Sequence, residues 1–137
     1  MILINLRTMI TAAIIVSEIG DINRFKDPRQ ILKMAGLSLK ENSSGKHKGK
    51  TTISKRGRRR LREGLFRAMI PMLANNTEFK MLHIRNITRE KSPLNKMQSI
   101  IALCGKLVRV IYAIMTKGYD YDANKMISDM NRSIMAA

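Results

Sequence analysis

Eleven lysines and arginines crowd between Lys40 and Arg67, with only Glu41 and Glu63 to oppose them. Charges this dense repel one another and cannot be buried without partners. The stretch must therefore lie at the surface, and any core has to come from the segments on either side. The remaining basic residues are diluted along those flanks, so the positive field is a local device. The formal net charge is +16, which calls for a polyanionic partner, either nucleic acid or an anionic membrane surface. It also opposes compaction of the free chain.

A length of 137 residues fits one domain. With 45% apolar residues, 4% aromatics and no Trp, the core must be aliphatic. Eleven methionines suit irregular helix packing. Cys104 is the single cysteine, which excludes an intrachain disulfide and fits a reducing compartment. Near the start the longest apolar run, Met9–Val16, is broken at Thr11 and falls short of the roughly 20 residues a membrane span needs. Arg7 lies inside the apolar part and no small-x-small cleavage site follows, so a secretory signal is not read here. The expectation is a cytoplasmic protein that begins with a buried helix and does not enter a membrane.

The pattern predicts an all-α fold. It is read as a compact multi-helix domain with a helical hairpin, a basic Ser-Gly loop and a long C-terminal amphipathic helix. "TAAIIVSEIGD" is apolar and stops at Gly20, a residue that tolerates the left-handed turn of a helix end. "DPRQILKMAGL" opens with Asp27 as N-cap, Pro28 at the first helical position and Gln30 as capping-box amide, and stops at Gly36. These two helices, joined by Asp21–Lys26, would form the hairpin. From Leu37 to Thr52 the 3.6-residue period fails, which reads as a mobile loop with at most a brief extended piece.

Ser54 is placed to cap the next helix. There Leu61, Leu65, Ala68, Met69, Met72 and Leu73 repeat on one face. Arg56, Arg60 and Arg67 fall opposite, with Arg59 nearby. Pro71 should kink that helix or end its regular part. Thr77 would cap a helix through "EFKMLHIRNITRE". The last helix is expected from Ser92-Pro93 to Gly118, its seam formed by Met97, Ile100, Ile101, Cys104, Leu107, Val108, Ile111, Ile114 and Met115. That seam suits an intramolecular core or a dimer. Residues 1–122 read as the domain and 123–137 as a weakly helical tail.

No metal site is expected. Cys104, His47 and His83 cannot complete a zinc set, and Asp120 and Asp122 read as solvated loop. Ser44 to Thr51 ends in the Gly-Lys-Thr of a phosphate-binding loop but has Ser44 where the first glycine belongs, which leaves a nucleotide binder as a lesser alternative. Ser43 and Ser44 precede Gly45 in a field of cations. A serine attacking a phosphodiester needs positive charge around the phosphorus as it crowds. On composition alone the favoured reading is a solvated basic loop whose serines only hydrogen-bond phosphates.

The order of motifs is more specific. Ser17-Glu-Ile-Gly-Asp21, Arg24-Phe25, Ala35-Gly-Leu37, Ser44-Gly45, Lys55-Arg-Gly57 and Leu61-Arg62 together resemble the C-terminal transposase domain of the one-ten type of bacterial insertion sequences. The resemblance covers about residue 10 to 122. It implies an RNA-guided serine recombinase for DNA transposition, in which the serine before the glycine forms a phosphoserine–DNA intermediate. Ser44 matches that position, with Ser43 as fallback.

The resemblance further implies DNA and a structured guide RNA as partners, contacted by Lys46, Lys48, Lys50, Lys55, Arg56, Arg59, Arg60 and Arg67. It also implies a homo-oligomer, or a partner chain carrying an RNase-H-fold domain. Any Mg2+ would bind in that other domain, and no cofactor is expected in this chain. Neither that domain nor the usual Pro-Gly-x-Gly turn is seen here, where "NLRTMI" stands instead. The expectation is a truncated transposase, a decayed element or a separately encoded half, inactive alone. The alternative is a non-catalytic nucleic-acid-binding protein derived from one.

Overall fold

The computed structural model describes residues 2–40, 43–45, 47–48, 51–118, 120–122, 124–125 and 128; for 2–6, 43–44 and 47–48 it describes the backbone alone. Lys46, Lys50 and most of the tail after 122 lie outside the described residues. The element order is α1 (Ile2–Ile19), a 3-10 turn (Ile22–Arg24), α2 (Pro28–Ala35), β1 (Leu39–Lys40), β2 (Ser43–Ser44), β3 (His47–Lys48), β4 (Thr52–Ile53), α3 (Arg59–Asn75), α4 (Thr77–Thr88) and α5 (Lys96–Lys117). The fold is all-α, with short strands confined to the basic segment.

The helix ends follow local chemistry. Asp27 accepts from the Arg29 N–H at 2.7 Å, and Gln30 Oε1 accepts from Lys26 N–H, one residue before the usual capping-box donor. Gly36 closes α2 at φ +72, with Gly36 and Leu37 donating back to Lys33 and Leu32. That double bond is the Schellman closure, for which a left-handed glycine is suited. Asn95 and Gln98 form a reciprocal capping box on α5, which therefore starts at Lys96 rather than at Ser92-Pro93. Asn76, not Thr77, caps α4 through Phe79 N–H.

Two further expectations change. Ser54 does not cap α3, whose N-cap Arg58 makes no side-chain capping bond. Pro71 does not end α3, which runs on to Asn75. Its missing N–H costs one bond, which would be donated to the Arg67 carbonyl, while the apolar face continues through Met72 and Leu73 into the core.

α3 is the central element. α1 packs along it, α4 and α5 pack on it and on each other, and α2 lies against α5 and α3. α1 and α2 therefore meet mainly through these neighbours rather than as a paired hairpin. Leu61, Leu65, Met69, Phe79 and Val108 are fully buried with Ile19, Ile31 and Ala35. Gly64 lets α1 come close, because a Cβ there would lie 3.3 Å from Ile15 Cγ1. Among its described side chains, from Arg7 on, only one side of α1 is covered. Met9, Ile10 and Val16 stay exposed, so the first helix is not the buried one expected.

α5 is the one described helix long and apolar enough, by length and composition, to cross a membrane. Here its Leu103, Cys104, Leu107 and Val108 are buried in the helix core. Its polar Ser99 is also buried, and its hydroxyl lies 2.8 Å from His83 Nδ1 and accepts from Asn86 Nδ2 at 3.2 Å. His83 is thus a half-buried contact on the face of α4 that meets α5.

Burial pushes the Cys104 thiol up to about 12, so at pH 8 it stays protonated and unreactive. Native protein should label with a disulfide reagent at least about a hundredfold more slowly than protein unfolded in urea. Fast native labelling, followed by absorbance, would mean that α5 is not docked.

Candidate nucleic-acid interface

The segment between α2 and α3 leaves the body as an antiparallel arm. At its root Leu39 pairs with Ile53 and Lys40 with Thr52, and nearer the tip Ser43 pairs with Lys48 and Ser44 with His47. The non-periodic stretch is therefore a laddered arm in its described parts. Alternating glycine and lysine hid that pairing, since neither type favours strands and no apolar face marks the register. Gly45 turns the tip at φ +61. No described atom lies within 4 Å of where its Cβ would be, so glycine serves conformation there rather than space.

The root is clamped by backbone. Ser54 N–H donates to Ser38 O, Lys55 N–H to Gly36 O and Arg58 N–H to Met34 O, at 2.8, 3.0 and 2.7 Å. Lys55 takes the left-handed conformation at φ +54, which a lysine adopts only at a cost of roughly 1–2 kcal/mol. Gly57, at φ +154, passes so close to α2 that a Cβ would collide with Met34 O and Gly36 N. Arg62 Nη1 then donates to Ala35 O at 3.0 Å and to Lys55 O at 3.4 Å. The Ala35-Gly-Leu37 and Lys55-Arg-Gly57 motifs, far apart in sequence, are two sides of one seam.

Glu18 performs a similar task at the end of α1. Its carboxylate lies 3.7 Å from Arg58 Nη1 and 3.8 Å from Arg60 Nε, and Arg58 also donates to the Glu18 carbonyl at 2.7 Å. Arg67 pairs with Glu63 one turn along α3 at 2.6 Å. These pairs, exposed at their arginines, contribute little stability, but they fix where the cations sit.

The nucleic-acid-binding candidates divide accordingly. Lys55, Arg56, Arg59, Arg60 and Arg67 are exposed, the last two with carboxylate neighbours. Lys48 is placed by its backbone on β3, and Lys46 and Lys50 lie outside the described residues. Arg58 and Arg62 escaped sequence reasoning, since a run of arginines does not say which members hold the scaffold. The pairing of two glycines with a fixed Leu-Arg was the available signal.

Among the described residues no group of three or more His, Cys, Asp or Glu could hold a metal ion. A phosphate-binding loop also fits poorly. In that loop the Lys-Thr pair opens a helix, whereas Thr51 leads into β4 and the next helix begins at Arg59.

The sequence model described as "Transposase IS116/IS110/IS902 family" matches residues 8–83. The chain belongs to this transposase family. The match takes in α1, α2, the arm, α3 and the start of α4. A curated relative, the transposase for insertion sequence element IS1111A of Coxiella burnetii, is 31% identical over 115 residues, 82% of this chain. The chain spans 31% of that relative's length.

The two glycines of this transposase-family arm should respond differently to alanine. Gly45→Ala should cost about 1–2 kcal/mol, the left-handed strain alone. Gly57→Ala should cost more than about 2 kcal/mol, since the clash is with backbone that cannot rotate away. Urea midpoints of the two variants check this, and equal destabilisation would contradict the clamp.

Proposed function

We propose that this chain is the serine-bearing part of a DNA transposase, and that Ser44 is its nucleophile, with Ser43 the substitute if the register is one residue off. Its oxygen attacks a DNA phosphate. The Oγ–P bond forms and the bond from phosphorus to the neighbouring deoxyribose oxygen breaks. The serine proton is lost and the freed deoxyribose hydroxyl gains one. As phosphorus becomes five-coordinate, negative charge gathers on its non-bridging oxygens, and cations near the arm offset it.

One observation carries this reading. Ser44 precedes the tip of an arm whose clamped root presents exposed Lys55, Arg56 and Arg59. The ladder pairs the backbone at Ser43 and Ser44, which an unpaired basic loop would leave without partners. The polyanions are DNA and, as the family resemblance implies, a structured guide RNA, met in the cytoplasm. Acidic metal-binding residues come from a partner chain or another domain, so a homo-oligomer or mixed assembly does the chemistry and this chain alone is inactive.

The test incubates the chain with element-end DNA and guide RNA, with and without a separately expressed metal-binding domain of a relative. Denaturing gels should show a protein–DNA adduct only with the added domain, and none in Ser44→Ala. Salt-sensitive binding without any adduct would leave a non-catalytic binder. Replacing Lys55, Arg56 or Arg59 by Ala should weaken binding across sequences and lower the salt slope by about one for each phosphate no longer neutralised.

A further inference from the structure

A cavity of about 280 Å³ opens where the arm meets the body, between the arm root, α3 and α5. Its size is at the low end for organic ligands, which suits one ring system rather than an extended molecule. Phe66, Leu37 and Ile53 line its apolar side, and Arg59, Arg62 and Glu63 its polar side. Cys104 also borders it and, with its thiol protonated, adds no charge.

Phe66 is placed unlike the other two phenylalanines. Phe79 is fully buried in the core, and Phe25 lies under the Arg24 guanidinium at 5.3 Å. Phe66 is half-buried and borders an open cavity on the basic side of the molecule. An aromatic ring beside guanidinium groups is the combination on which unstacked bases settle, since every base has a face that stacks and a phosphate that needs a cation.

Resting on the transposase reading above, we infer that this cavity takes one unstacked nucleobase of a DNA or RNA strand, stacked on Phe66. Arg59 holds the adjoining phosphate. Glu63, which already accepts from Arg67, has acceptor capacity left for an amino group on the base edge. Arg62 is committed to the Ala35 and Lys55 carbonyls through Nη1, so it walls the cavity rather than following the strand. The arm root would thereby pull a strand out of its stack at the base of the serine-bearing arm.

The test compares single strands of equal length and phosphate number, one with bases and one built from abasic nucleotides, each bound to the full chain at fixed salt. Equal phosphate number cancels the counterion contribution. The base-bearing strand should bind between about five- and a hundredfold tighter. Phe66→Leu should remove most of that ratio and Phe66→Tyr retain it, with urea midpoints verifying that both variants fold. Running deoxy and ribo strands in parallel identifies which nucleic acid supplies the base.

Equal binding of the two strands by the native chain, or a ratio untouched by Phe66→Leu, overturns the pocket while leaving the basic interface standing. Failure of every strand to bind at low salt overturns the nucleic-acid reading itself, and the pocket with it.

Discussion

The backbone of Gly57 runs against the carbonyl of Met34 and the amide of Gly36 with no room for a side chain between them. This contact carries no charge, yet it determines where the charges go. It pins the return strand of the arm to the end of α2, holds Lys55 in its left-handed turn and brings Arg58 to the point where α3 begins. The Schellman closure at Gly36 supplies the other half. Without these two glycines the arm would be tethered only at its ends.

Around that seam the electrostatics are economical. Two carboxylates, Glu18 and Glu63, make the ion pairs described for the basic segment, and each serves geometry. Arg62 is satisfied by carbonyls and so contributes structure as much as field. The exposed cations that remain repel one another, and a polyanion lowers that repulsion when it binds. Any polyanion bound there would stabilise the fold through the same charges.

How much of this could be read beforehand depends on whether a signal was local. Asp27-Pro28, Gly36 and Gly118 announced helix ends because caps act within one turn. The apolar repeat after Leu61 announced α3 and its buried face. The arm was legible only as a brief extended piece within a loop, because its pairing joins residues with no strand preference and its anchor is a steric fit to a distant turn. Ser54 looked like a cap, but its N–H bonds Ser38 and the helix starts later. Pro71 read as a kink or a stop, and the helix runs on through it because packing on both sides outweighs one missing bond. For the site, Ser44 stood out through the order of motifs, whereas Arg62 and Phe66 take their meaning from what lies beside them in space.

The buried hydroxyl of Ser99 has a consequence for how uniquely this protein folds. An interior of leucine, isoleucine and methionine tolerates rearrangement, since one aliphatic chain substitutes readily for another. Sliding α5 along α4 by a turn would still bury oily surface. It would also carry Ser99 away from His83 and Asn86, leaving an unmatched hydroxyl in the core at a cost of about 1–3 kcal/mol. One serine thus acts as an index mark between two helices, selecting a single alignment from several that oil alone would accept.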